Sequence, residues 1–132
     1  MWIYLNNSFL SVVQHKDNPK LLHVRARKKG DIEAVFHQAR VTHTPSGDYK
    51  YRTNMGREVM ARAMRSQLIA LQYTNFKNSV KDPERKMAYM DTWSAAHGLH
   101  SQGDAFAAIG MLSSKCIPDD EDEGHDFYGE PG

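Results

Sequence analysis

Seven histidines and a dense run of cations are the residues of this 132-residue chain best equipped for chemistry. His97 and His100 lie three apart with Asp104 four further on, a spacing that suits metal ligation only if one unbroken helix carries them. Gly98 and Gly103 interrupt that stretch, so the pair reads as a helix-end histidine near the negative end of the dipole and a solvated loop neighbour. His23 and His43 are placed to meet across strands, yet the nearest carboxylates in sequence, Asp31 and Asp48, belong to turns, and no acid–base pair assembles. The segments "KKGDIE" and "NMGREV" each supply one glycine and match neither a phosphate-cradling loop nor a dinucleotide fingerprint. Ser8, Ser11 and Ser79 lack a nucleophile-elbow context. Asp31 and Glu33 point in different directions from a helix start and suit capping and dipole duty. Cys116 is the single cysteine; it has no disulfide partner and reads as a small buried apolar residue of a reducing compartment. Taken together, these patterns predict no catalytic residue, no metal, no cofactor and no enzyme.

The arginines carry the sharper expectation. In "LLHVRARKKGD", Leu22, Val24 and Ala26 alternate with His23, Arg25 and Arg27, the period of a strand with one buried and one outward face. The same reasoning places Lys50 and Arg52, Arg40 and Thr42, and the rings of Trp2, Tyr4 and Phe9 on that outward face. A basic face carrying rings suits single-stranded nucleic acid, because cations neutralise phosphates and each stacked base contributes on the order of 1–3 kcal/mol. It equally suits a protein partner or an ordinary solvated surface of cation–π and cross-strand pairs. Lys28 and Lys29 are expected in solvent. Arg57, Arg62 and Arg65 read as a solvated helix face on which Arg62 pairs with Glu58.

Charge is unevenly spread along the chain. Residues 1–118 hold all 17 Lys and Arg against 9 Asp and Glu, a balance of +8, whereas residues 119–132 hold 7 acids and no Lys or Arg. Such a split suggests an anionic partner for the body, a cationic partner for the tail, or a tail that folds back on the body. The tail, too poor in apolar surface to offset its ordering entropy, is expected to be disordered in isolation, with Phe127 and Tyr128 as candidate anchors on a partner. No apolar run approaches the ~20 residues of a membrane span, and no basic leader opens the chain. The expectation is a cytoplasmic protein.

Elements must then position these groups. Asn6 and Asn7 predict a two-residue hairpin turn that sets Leu5 opposite Ser8, Tyr4 opposite Phe9, Ile3 opposite Leu10 and Trp2 opposite Ser11. Residues 21–28 form the third strand. A short helix starts at Gly30 or Asp31 with Ile32, Val35 and Phe36 as its apolar stripe, and a second hairpin turns around Pro45–Asp48, with Tyr49, Tyr51 and Thr53 on one side and Lys50 and Arg52 on the other. A helix over about 56–73 carries Met60, Met64, Leu68 and Leu71 as a buried stripe. Another opens with Asp82 as cap and Pro83 at its first position, carries Met90, Trp93 and His97, and stops at Gly98. A last short helix after Asp104 is interrupted by Gly110.

The opening "MW", "SFLSVV", "LLHVRARKKGDIE", "DYKYR" and "LQYTNFKNSV" followed by "YMDTW" resemble, as a set, a group of short uncharacterised proteins of bacteriophage and bacterial genomes. The resemblance spans roughly residues 1–93. It implies a shared α+β domain and a phage origin, and it carries over no catalytic residue. The fold expected is α+β: an antiparallel sheet of about five strands with one short and two longer helices on one face, residues 1–117 forming one domain and 118–132 the acidic tail. The function expected is that of a binding protein, a small phage-related accessory or inhibitor that engages a protein partner through a charged surface; the alternative is a protein that binds single-stranded nucleic acid on the basic, aromatic face and is regulated by the acidic tail.

Overall fold

The computed structural model of the chain describes residues 1–109, with side chains through residue 99. Cys116, the acidic tail and its anchors Phe127 and Tyr128 lie outside the described residues, as does the proposed interruption at Gly110. The order is β1 (Trp2–Leu5), β2 (Ser8–Gln14), β3 (Leu21–Ala26), α1 (Asp31–Val35), β4 (Thr42–His43), β5 (Tyr51–Gly56), α2 (Arg57–Ile69), α3 (Phe76–Ser79) and α4 (Pro83–Ile109). The chain divides into two units, Met1–Tyr89 and the remainder from Met90, and α4 begins in the first.

The strands form one antiparallel sheet in the order β1-β2-β3-β5-β4, an α+β fold. The Asn6-Asn7 turn sets the predicted register, with Trp2 opposite Ser11, Ile3 opposite Leu10, Tyr4 opposite Phe9 and Leu5 opposite Ser8. Because side chains alternate along a strand, that register sends Ile3, Leu10 and Val12 to the face shared by Leu22, Val24 and Ala26. Leu10, Val24, Ala26 and Ile32 are wholly buried there. Full burial of a side chain such as Leu10 or Ile32 stabilises by about 1.5–3 kcal/mol.

The short helix α1 lies over this face through Ile32, with Val35 and Phe36 packed beside it, and Gly30 enters it in a left-handed conformation (φ 93°) that a side chain rarely adopts. Helix α2 covers the same face through Met60 and Met64 only. Leu68 and Leu71, expected in its buried stripe, are exposed: the helix ends at Ile69, and the two side chains line an open hollow with Leu5 and Tyr73 instead of packing in the core. Arg57 fixes its start by donating to the Pro19 carbonyl and to Gln14 Oε1. Among the described ion pairs there is none between Glu58 and Arg62.

Helix α4 does begin at Pro83, with the Asp82 carbonyl accepting from Lys86 N–H. It does not stop at Gly98: it continues to Ile109, so the expected separate helix after Asp104 is the same element. A glycine inside a helix costs about 1 kcal/mol relative to alanine, a local penalty that a long helix absorbs. In the second unit Met90, Trp93 and His97 are exposed rather than buried, and His97 stacks on Trp93 at 5.6 Å. No described helix is long and apolar enough to cross a membrane.

Candidate functional site: an arginine cluster around Tyr49

The second sheet face gathers most of the residues singled out above. Trp2, Tyr4, Phe9, Ser11, His23, Arg25 and Arg52 share it by register. Tyr4 and Phe9, directly opposite each other, stack at 4.7 Å, and Trp2 meets Phe9 edge-on at 6.3 Å. Arg25 and Arg27 bracket the buried ring of Tyr49 at 4.6 and 4.5 Å, and Arg27 also reaches the Phe9 ring at 5.8 Å.

Tyr49 therefore belongs to this face, whereas simple alternation assigned it to the side of Tyr51 and Thr53. It precedes β5, in the turn opened by Gly47 (φ 101°), where the two-residue period does not apply. Arg52 folds back on the same turn, its Nε donating to the Tyr49 carbonyl at 2.9 Å. Arg25 donates from Nη2 to Ser11 Oγ at 2.7 Å, and its buried Nε has no hydrogen-bond partner among the described residues.

Among the described residues one carboxylate serves this group. Asp48 chelates Arg27 through both oxygens, at 3.0 and 2.7 Å, in a pair open to solvent on both sides. The hydrogen bond from Arg27 holds the Asp48 carboxyl below the usual carboxylate range, and the same bond raises the Arg27 guanidinium. Arg25 and Arg52 stand directly opposite each other across β3 and β5, a like-charge pair that costs free energy unless an anion lies near.

Other expected members lie apart. His23 is on the face but bonds Asn54 Oδ1 through Nδ1 at 2.7 Å. His43 stacks on Tyr51 at 5.0 Å on the far side of β5, so the two histidines do not meet. Arg40 precedes β4 and lines a hollow of about 640 Å³ with Phe36, Met55 and Val59 rather than joining the cluster. Lys50 is exposed just before β5, with no hydrogen bond or ion pair to the cluster among the described residues. Lys28 is exposed, as expected, and in addition pairs with Asp82 and Glu84 at 2.7 and 2.8 Å, tying the segment after β3 to the start of α4. Those hydrogen bonds raise Lys28, and the one to Asp82 holds that carboxyl low.

A second polar centre escaped sequence reasoning. Arg85 makes a bidentate pair with Asp31 at 2.6 and 3.0 Å, and both side chains are almost wholly buried. Asp31 also accepts from Phe9 N–H at 2.9 Å, and Tyr89 OH lies 2.9 Å from the Leu5 and Ser8 carbonyls, able to donate to one at a time. Burial works against the Arg85 charge, but the bonds to Asp31 and Tyr89 outweigh it and raise its pKa; burial likewise raises the Tyr89 phenol. Tyr89 stands edge-on to Tyr4 at 5.2 Å and stacks with Phe76 at 5.7 Å. Only the i, i+4 spacing of Arg85 and Tyr89 was visible in sequence, and a partner 54 residues away leaves no local trace.

Among the described residues no group of three or more His, Cys, Asp or Glu side chains could hold a metal ion. Comparison with protein-family models, with curated proteins and with solved structures finds no match.

Proposed function

We propose that the chain is a binding protein whose arginine face engages an acidic surface of a protein partner. The observation that carries this reading is the charge count around Tyr49: among the described residues three guanidinium groups gather there with the single carboxylate of Asp48, whose ion pair is with Arg27. Arg25 and Arg27 are already held by a ring and by fixed hydrogen bonds, so binding would cost little side-chain entropy. Arginine and tyrosine are also the residues in which interface energy concentrates. The resemblance to short phage and bacterial proteins supports an accessory or inhibitor role inside a bacterial cell. In a test by capture, the immobilised full chain recovers one stoichiometric acidic protein from bacterial lysate, released by salt; failure to recover any reproducible partner counts against the proposal.

Nucleic acid is the second reading, favoured by the same excess of positive charge. The rings speak against it. Tyr4 and Phe9 stack on each other, Tyr4 also meets Tyr89, and Tyr49 is buried with two guanidinium groups against its ring, which leaves Trp2 as the exposed ring of this face. Binding of a short single-stranded oligonucleotide that weakens steeply with salt and falls in Arg25→Ala would favour this reading over the first.

A further inference from the structure

The arginine face already holds an acid, and the way that acid is attached shows which group the face takes. Asp48 presents its two oxygens to Nε and Nη2 of Arg27, at 3.0 and 2.7 Å, the side-on geometry in which a planar carboxylate satisfies one edge of a guanidinium. Among the described residues Arg27 is its only ion-pair partner, and Arg25 acts on it through charge alone. The pair stands in water on both sides, with 49% and 66% of the two side chains exposed.

A pair so placed exchanges easily. Exposed ion pairs are weak, because water competes for both partners and salt screens them. An incoming carboxylate also restores the two hydrogen bonds that Asp48 gives up, so the exchange conserves bonding. Arg27 keeps its seat meanwhile, since its guanidinium lies 4.5 Å from the centre of the buried Tyr49 ring and 5.8 Å from that of Phe9.

We infer that Asp48 is a built-in competitor for the arginine face: an aspartate or glutamate side chain of the acidic partner takes its place on Arg27. In the free chain Asp48 fixes the guanidinium; on binding it yields it. The inference rests on the proposed reading of this face and names the group that the face recognises, a carboxylate presented edge-on. It also has a definite sign. A tethered carboxylate that must leave before another enters lowers the apparent affinity by the fraction of time it occupies the site, so removing its charge tightens binding. A carboxylate that only positioned Arg27 would give the reverse.

Fluorescence anisotropy of a labelled oligoglutamate peptide, titrated at low salt with the full chain, reads that sign. Asp48→Asn should bind the peptide about two- to fivefold more tightly than the natural chain, the range that one exposed ion pair supplies. Glu58→Gln removes one exposed acid from α2, on the helix that covers the other face of the sheet, and so changes the net charge equally; its gain should be smaller. With Arg27→Gln in place, Asp48→Asn should gain no more than Glu58→Gln does, because the contested guanidinium is gone. Equal or weaker binding by Asp48→Asn, a gain matched by Glu58→Gln, or a gain that survives Arg27→Gln would overturn the inference and leave the arginine face standing. Absence of binding by both the natural chain and Asp48→Asn would overturn the proposed function with it.

Discussion

Two arginine–carboxylate pairs with nearly the same geometry sit in opposite surroundings. Arg85 and Asp31 meet at 2.6 Å with 8% and 5% of their side chains exposed, whereas Arg27 and Asp48 meet at 2.7 Å with 49% and 66% exposed. The buried pair belongs to a closed network that also satisfies Phe9 N–H and includes the Tyr89 hydroxyl. The open pair leaves Arg27 stacked on Tyr49 and accessible from solvent. Hydrogen-bond length alone therefore says little about what a pair does. In the interior, desolvation makes each partner indispensable to the other; at the surface, water screens the attraction and the pair mainly fixes where a guanidinium stands.

Breaking the buried pair should have the largest effect. Asp31→Ala leaves a buried guanidinium without its counter-ion and Phe9 N–H without its acceptor, and should cost about 3–5 kcal/mol in denaturant unfolding. Combining Asp31→Leu with Arg85→Met should recover most of that loss, since two well-packed apolar residues carry no unpaired charge. Tyr89→Phe removes one hydroxyl from the same network and should cost about 1–3 kcal/mol. It should also change the alkaline limb. The folded-state phenol is raised, so its contribution is fully present below the unfolded value near pH 10 and is lost as pH rises through the higher folded value. That decline should be absent from the phenylalanine variant.

At the open pair the expected effect on stability is the smallest: Asp48→Ala should move the denaturant midpoint least of these changes. The sensitive readout is titration. The Asp48 carboxyl should titrate below the usual carboxylate range by NMR and return to it in Arg27→Ala. The associated stabilisation is present above the ordinary carboxylate pKa and is lost as pH falls through the lower folded value.

The contrast also marks what a one-dimensional reading reaches. Local periodicity and one turn were enough for the β1–β2 register and for the two faces of β3, because Asn6-Asn7 pins the pairing and a slip by one residue would turn Leu10 and Val12 into water. The same pattern placed Trp2, Tyr4, Phe9, His23, Arg25 and Arg52 together. It failed for Tyr49, where a glycine turn resets the period, and for Leu68 and Leu71, whose helical spacing carries no sign of whether anything covers them and which the fold leaves exposed. It was also blind to Asp31–Arg85. A capping aspartate and a helical arginine look ordinary until the fold closes 54 residues between them.

The central claim, that the cations around Tyr49 form the binding surface while the Asp31–Arg85 network holds the fold, is tested most directly by a charge-reversed chain. Arg27→Glu, at an exposed side chain, should melt within a few degrees of the natural chain, and should capture far less of the acidic protein that the natural chain recovers from lysate. Equal capture by the two chains would contradict the claim.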